Sequence, residues 1–231
     1  MIRLLFAVLA TLGFAAAAQA APAATPAEPV YTIGQHYQLV PTPTTADAGD
    51  KIKVEEFFWY GCPHCYRFEP TLKEWLKKLP KDVEFVRVPN NLGHPQGRIH
   101  EQAFYIAQLL GVEDRIHQPF MDALVRDRLP LNDLPSVREF FVKTVHIKPE
   151  DFDGANGFMV DANMRRADQL AMDYQVSSVP TIVVGGKYLT EIGQPGIYDP
   201  KAGEEVLYKK VLNVVDFLIA KIRDERRNSK P

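Results

Sequence analysis

The chain has 231 residues, of which 46% are hydrophobic and 24% charged, and its formal net charge is −2 at pH 7. This length suits one sizeable domain with an insertion or two small domains, and the composition is typical of a soluble globular protein. A charge so close to zero gives no support for nucleic-acid binding, so we expect no nucleic-acid partner.

The first twenty residues have the pattern of a secretory signal peptide. A basic start at Arg3 precedes an apolar run over residues 4–18, and the Ala-Gln-Ala of residues 18–20 fits a cleavage site. The alternative is a retained membrane anchor, but the apolar run is shorter than the roughly 20 residues of a comfortable span. We therefore predict a signal peptide over residues 1–20, a flexible mature start over residues 21–36, and export from the cytosol.

A β-α-β unit is predicted next. Residues 51–60 form an aromatic, buried strand, residues 63–79 an amphipathic helix, and residues 83–88 a second strand that Pro89 closes. Strands joined by a helix in this way are parallel, with a right-handed crossover.

A helical block follows over residues 97–162, where no strand pattern occurs. Within it, helices are predicted at residues 99–110, 112–125, 134–145 and 153–161. A helix at residues 164–174 then leads to two short apolar runs around Gly185-Gly186, which indicate a β-hairpin. A long helix over residues 206–222 and a charged tail that frays complete the chain.

The only two cysteines, Cys62 and Cys65, lie between the predicted strand and its helix. Cys-x-x-Cys in this position is the usual setting of a dithiol redox site. The positive end of the helix favours a thiolate at Cys62, and Pro63 suits the first helical turn. A structural disulfide across so short a gap would constrain the unfolded chain very little, and two cysteines supply only half of a zinc site. We therefore predict redox chemistry, with no metal and no cofactor.

Two adjacent carboxylates, Glu55 and Glu56, lie in the strand that precedes the cysteines. At least one should point inward if the strand is central. Either one is exposed and the other paired, or one is a buried carboxylate beneath the cysteines that moves their protons.

Three features together resemble the DsbA family of periplasmic thiol:disulfide oxidoreductases, in the thioredoxin-like superfamily. They are the Cys-Pro-His-Cys motif at residues 62–65, the helical block, and the Val-Pro-Thr of residues 179–181 before the hairpin. The resemblance implies an α/β thioredoxin fold with an inserted helical domain. The implied boundaries are residues 37–96 and 163–226 for the thioredoxin-like domain and residues 97–162 for the insertion.

The resemblance also implies the roles of single residues. Cys62 is the more exposed cysteine and forms a mixed disulfide with substrate, and Cys65 is the buried resolving partner. His64 tunes Cys62 by donating a hydrogen bond to its sulfur or by placing positive charge beside it. The bond before Pro180 is cis, and the backbone of Val179 pairs with an extended substrate. Glu56 either relays protons to Cys65 or makes a structural ion pair.

The function implied is donation of the Cys62–Cys65 disulfide to reduced exported proteins in the periplasm, by a monomer that a DsbB-type membrane quinone reductase reoxidises. An isomerase, a reductase or a redox carrier on the same fold is the alternative, although no segment resembles an isomerase dimerisation domain. A thioredoxin-like binding module would not need both cysteines, and this chain has both.

Overall fold

The computed structural model describes residues 30–44 and 51–228. The predicted signal peptide and its cleavage site lie outside these residues. Part of the predicted flexible start is described, and there the ring of Tyr31 packs on that of Phe217 at a centroid distance of 5.2 Å. Over the described ranges, no helix is long and apolar enough to cross a membrane.

The secondary structure alternates between strands and helices at both ends of the chain and is purely helical in the middle. Along the described chain the strands are β1 (Gln38–Leu39), β2 (Ile52–Phe58), β3 (Val83–Pro89), β4 (Thr181–Val184) and β5 (Tyr188–Glu191). The α-helices are α1 (Pro63–Leu76), α2 (Pro95–Leu109), α3 (Glu113–Met121), α4 (Leu134–Val145), α5 (Pro149–Ala155), α6 (Phe158–Asp173) and α7 (Glu204–Asn228). A π-helical segment, Asp122–Arg126, extends α3.

The strands form one mixed sheet in the order β1-β5-β4-β2-β3. Strands β2 and β3 are parallel and joined by α1, as the β-α-β pattern predicts, and the other pairs are antiparallel. The predicted hairpin joins β4 to β5 through Gly185 and Gly186, whose φ angles are 61° and 62°. Positive φ at both central positions is the geometry that glycine permits and that a tight hairpin turn requires.

The sheet is covered on both faces, and the central strand β4 shows how the sequence achieves this. Ile182 and Val184 pack with α1 and α7 on one face, whereas Val183 packs with the helical block on the other. Successive side chains of a strand point to opposite faces. Because both faces of the sheet are covered, all three side chains are buried. Helices α2 to α6 all come from the segment between β3 and β4, so the structure is a thioredoxin fold with a helical insertion, as predicted.

One prediction about helix boundaries is wrong. The helix expected at residues 153–161 is interrupted, because Asn156 and Gly157 leave the helical conformation between α5 and α6. Helix α6 then continues without a break from Phe158 to Asp173, across the proposed domain boundary between residues 162 and 163.

The charged tail over residues 224–231 is expected to fray, yet α7 continues to Asn228. Arg223, just before that tail, forms a two-bond fork with Asp82, at 2.7 and 2.8 Å. Lys187 likewise pairs with Glu225 at 2.7 Å. These long-range contacts hold the end of the helix against the sheet domain, and spacing along the sequence does not show them.

Candidate active site

The two cysteines lie where β2 ends and α1 begins. Cys62 occupies the N-cap position, with extended backbone angles, and Pro63 is the first helical residue. The Cys62 N–H donates to the Trp59 carbonyl at 2.9 Å, and the Cys62 carbonyl accepts from the Tyr66 N–H at 3.0 Å. These bonds fix the turn that brings the first sulfur to the positive end of the helix.

Both cysteines are buried, but to different degrees. Cys62 is 6% exposed and Cys65 is fully buried, so the predicted order of exposure is correct, although even Cys62 presents little surface. The Cys62 thiol donates to the carbonyl of Val179 at 3.5 Å, across 117 residues of sequence. The Val179–Pro180 peptide is cis, as predicted. The fold therefore brings the cysteine motif and the predicted substrate-binding pair into contact.

The two thiols differ in acidity. A hydrogen bond from the Cys65 thiol, the backbone N–H groups of Cys65 and His64, and the charge of His64 lower the pKa of Cys62 to about 6, against the effect of burial. Burial, the hydrogen bond to Cys62 and the charges of Cys62 and Glu56 raise the pKa of Cys65 well above its ordinary value. At neutral pH the reduced site therefore holds one thiolate, at Cys62, and one thiol, at Cys65.

Glu56 lies on the face of β2 that is directed toward α1, and it is fully buried. Burial raises its pKa to about 8, and Glu69 and Cys62 add to this effect whereas Arg87 opposes it. Arg87 Nε lies 3.4 Å from Glu56 Oε2, but neither Glu56 oxygen makes a hydrogen bond within the described residues. Glu56 is therefore a protonated, weakly held carboxyl group near neutral pH.

The neighbouring Glu55 is buried as well, on the opposite face of β2. It is 3% exposed and accepts a hydrogen bond from the Tyr174 hydroxyl at 3.1 Å. Of the two alternatives, the one that leaves a carboxylate exposed is therefore wrong. Strand β2 has β3 on one side and β4 on the other, and helices cover both of its faces, so no position on it reaches solvent freely.

A buried charge network beside Glu56 was missed from the sequence. Arg87 Nη2 donates to both oxygens of Glu69, at 3.1 and 3.3 Å, and His117 Nε2 lies 2.9 Å from Glu69 Oε1. Burial alone would raise the pKa of Glu69, but the hydrogen bond from His117 and the charge of Arg87 hold it well below its usual range. Glu69 is one helical turn after Cys65 and faces inward with it, and this spacing was an available signal.

The ring of His64 is directed toward α7. Its Nδ1 lies 3.0 Å from Glu204 Oε1, and the Tyr208 hydroxyl donates to the His64 carbonyl at 2.9 Å. The backbone N–H of His64 acts on Cys62, and the charge of its ring has a smaller effect. No sequence signal pointed to Glu204, because 140 positions separate it from His64 and only the docking of α7 on α1 brings the two together.

Among the described residues, no group of three or more His, Cys, Asp or Glu side chains is arranged to hold a metal ion. The arrangement around the two sulfurs supports thiol chemistry, with buried proton donors and acceptors beside them.

Comparison with known proteins agrees with this geometry. Residues 53–197 match the family model described as a DSBA-like thioredoxin domain. The chain is 38% identical over 193 residues to the thiol:disulfide interchange protein DsbA of Pseudomonas aeruginosa, covering 84% of this chain and 86% of that one. It is 35% identical over 230 residues to DsbA of Burkholderia cepacia, covering 98% and 100%.

Solved structures give the same result. The crystal structure of Pseudomonas aeruginosa DsbA matches with a TM-score of 0.75 at 37% identity, covering 85% of this chain and 97% of that one. The structure of DsbA from Xylella fastidiosa matches with a TM-score of 0.73 at 26% identity, covering 84% and 98%. The chain belongs to the DsbA family of thiol:disulfide oxidoreductases.

Proposed function

We propose that the protein donates its Cys62–Cys65 disulfide to reduced exported proteins through a mixed disulfide at Cys62. The observation that carries this proposal is the opposite acidity of the two thiols. Interactions with Cys65 and with the start of α1 lower the pKa of Cys62 to about 6, whereas burial raises that of Cys65. A stable thiolate at Cys62 favours the reduced protein, and its disulfide is therefore oxidising.

The transfer takes two displacements. A substrate thiolate attacks Cys62 Sγ, the Cys62–Cys65 bond breaks, and its electron pair goes to Cys65. Because burial disfavours a charge at Cys65, this sulfur takes up a proton, for which the protonated Glu56 is the proposed donor. A second substrate thiolate then attacks the substrate sulfur of the mixed disulfide, and Cys62 leaves as a thiolate. The substrate dithiol is oxidised to a disulfide, and the protein disulfide is reduced to a dithiol.

Val179 and Pro180 are the proposed substrate-binding residues. The Val179 carbonyl is the acceptor for the Cys62 thiol, so a substrate that reaches the sulfur also reaches this backbone. Main-chain pairing with an extended peptide gives affinity with little sequence preference, which suits a catalyst of many substrates. Pro63 and His64 complete the proposed site, since the first starts α1 and the second contributes its N–H and its charge to Cys62.

The cellular setting proposed is the periplasm, reached by cleavage of the signal peptide at residues 1–20. The proposed reoxidant is a DsbB-type membrane quinone reductase, and the proposed oligomeric state is a monomer. The domain division stays as proposed from the sequence, with residues 37–96 and 163–226 in the thioredoxin-like part and residues 97–162 in the insertion.

Transfer to a reduced peptide with two cysteines tests the proposal. The oxidised protein should form one peptide disulfide per protein molecule, and alkylation should then label both Cys62 and Cys65. Cys62→Ser should abolish transfer. Cys65→Ser should retain a single-cysteine peptide that is supplied as a disulfide with an aromatic thiol. Cys62 attacks the peptide sulfur, the aromatic thiolate leaves, and no Cys65 thiol is present to displace the peptide. Stoichiometric oxidation by Cys62→Ser would refute the assignment, and reshuffling of a scrambled disulfide substrate without net oxidation would indicate an isomerase instead.

A further inference from the structure

The first turn of α7 meets the first turn of α1 beside the active site, and a carboxylate joins them. Glu204 accepts two hydrogen bonds from Arg67, one from Nη2 to Oε1 at 3.0 Å and the other from Nε to Oε2. The Tyr208 hydroxyl lies 3.2 Å from Glu204 Oε2 and donates to the His64 carbonyl at 2.9 Å. Hydrogen bonds from two helices thus hold the carboxylate in place.

The Glu204 carboxylate competes with the Cys62 sulfur for the ring of His64. His64 Nδ1 lies 3.0 Å from Glu204 Oε1 and 3.2 Å from Arg67 Nη2. A carboxylate only accepts and a guanidinium only donates, so the protonated nitrogen donates to Glu204 and the unprotonated one accepts from Arg67. In either form, Nδ1 is bound by Glu204 or Arg67 and is not available to the Cys62 sulfur.

The contacts of the Cys62 sulfur agree with this. Its hydrogen bonds within the described chain involve the Val179 carbonyl, the Cys65 thiol, and the backbone N–H groups of Cys65 and His64. The ring of His64 acts on it only by charge, which is the weakest of the named influences. A histidine between two cysteines can donate a hydrogen bond directly to the thiolate, and here its Nδ1 is directed to Glu204 and Arg67 instead.

We propose that Glu204 is a positioning residue whose carboxylate draws the His64 ring away from the Cys62 sulfur and so makes the disulfide less oxidising than the Cys-Pro-His-Cys motif alone would. The inference rests on the proposed function, because it concerns the strength of the same disulfide. Glu204 contacts neither sulfur, and its effect passes through His64. A carboxylate outside the Cys-Pro-His-Cys motif thus helps to set how oxidising the disulfide is.

Removal of the carboxylate should therefore strengthen the thiolate. In Glu204→Gln the charge is lost, and in Glu204→Ala the acceptor is lost as well, so the ring is free to turn to the sulfur. A single exposed charge–charge contact is worth a fraction of a kcal/mol, so we expect the pKa of Cys62 to fall by about 0.5. The equilibrium with glutathione should then shift about threefold toward the reduced protein. Thiolate absorbance against pH and alkylation at fixed glutathione ratios measure the two effects.

Glu205→Gln is the matched control. Glu205 is the next residue on the same helical turn and pairs with Lys209 at 2.6 Å, away from the cysteines. It should leave the Cys62 titration unchanged. A double-mutant cycle then separates action through His64 from a direct charge effect, because neither Glu204 variant should shift the Cys62 titration in a His64→Ser background.

An unchanged or raised Cys62 pKa in Glu204→Ala would overturn the proposal, and so would an equal fall with and without His64. These results are separate from the proposed function, which fails if the wild-type oxidised protein does not transfer its disulfide to a peptide. Glu204 is about one-third exposed at a helix end, and urea unfolding verifies that each variant is folded before it is titrated.

Discussion

At the scale of single residues, the acidity of Cys62 results from several small contacts around one buried sulfur. The start of α1 supplies N–H groups, and Cys65 supplies its thiol, and these contacts together outweigh the burial that opposes ionisation. Glu56, buried nearby without comparable partners, shows the reverse balance, and burial raises its pKa to about 8. The pKa values of two acidic groups in the same site are therefore shifted in opposite directions, as acid–base chemistry near neutral pH requires.

His64→Ser should raise the pKa of Cys62. The positive charge of the ring is lost, but the backbone N–H at position 64 remains, so we expect a modest rise of about 0.5 to 1. Thiolate absorbance against pH measures it. An identical titration curve in the wild type and the variant would show that the ring has no part in tuning.

Glu56→Gln should stabilise the reduced protein, and the gain should depend on pH. A carboxyl group whose pKa is about 8 in the folded state and 4.5 otherwise contributes most stability below pH 4.5 and loses it as the pH rises toward 8. The amide has no such loss, so the variant should match the wild type near pH 4.5 and be more stable by about 3 kcal/mol at pH 7.

Urea unfolding of reduced protein at the two pH values tests this prediction. Glu139→Gln, a change of the same kind at an exposed carboxylate paired with Lys143, is the control and should show no gain that grows with pH. Destabilisation of Glu56→Gln at pH 7 would mean that the buried group is ionised and paired with Arg87 in the folded protein.

At the scale of secondary-structure elements, α1 packs against both the sheet and α7. Its buried side chains include Phe68 and Leu72, and the ring of Phe68 lies 5.1 Å from that of Tyr208 on α7. The same helix carries Cys62 at its start and Glu69 on its inward face. The packing that stabilises α1 therefore also sets the position of the sulfurs.

Leu72→Ala should destabilise the protein by about 3 kcal/mol, since Leu72 is fully buried and the change leaves a cavity. Leu109→Ala deletes the same atoms at a position that is 45% exposed and should cost less than about 0.5 kcal/mol. Urea unfolding compares the two variants. Equal losses would indicate that α1 is not tightly packed on α7 and the sheet.

Gly186→Ala should weaken the hairpin that joins β4 to β5. The φ angle of Gly186 is 62°, and an added Cβ would lie 2.5 Å from the Thr44 carbonyl oxygen, so we expect a loss of at least about 1 kcal/mol. Gly154→Ala in α5 meets no atom within 4 Å and should instead be neutral or stabilising, by up to about 1 kcal/mol. A stable Gly186→Ala protein would contradict the turn geometry.

Elements with a strong local pattern were predictable from the sequence. The aromatic strand before Cys62, the parallel unit around α1 and the Gly-Gly hairpin depend on neighbouring residues, and all three are present. The break between α5 and α6 was not predictable, because Asn156 and Gly157 interrupt a continuous helical pattern. The network of Glu69, Arg87 and His117 depends on strand register and long-range packing, which spacing alone does not reveal.

At the scale of the whole molecule, the active site lies where the two halves of the thioredoxin fold meet. Cys62 comes from the half before the helical insertion, and Val179 and Glu204 come from the half after it. One hydrophobic cluster packs the sheet against the insertion, and the other packs it against α1 and α7. The packing of both clusters therefore sets the position of the two sulfurs. For this reason the redox strength of the site depends on the complete fold.

The pH dependence of the equilibrium with glutathione tests the central claim most directly, namely that Cys62 is a thiolate at neutral pH and makes its disulfide oxidising. Glutathione is an ordinary thiol with a pKa near 8.5, so it stays largely protonated at neutral pH. Reduction of the protein by two such thiols should then release one proton above the Cys62 pKa of about 6. The ratio of reduced to oxidised protein at fixed glutathione should rise about sevenfold between about pH 6.5 and 7.5, and should level off below about pH 5. A ratio that stays constant up to about pH 8 would show that Cys62 is an ordinary thiol and would contradict the proposed donor.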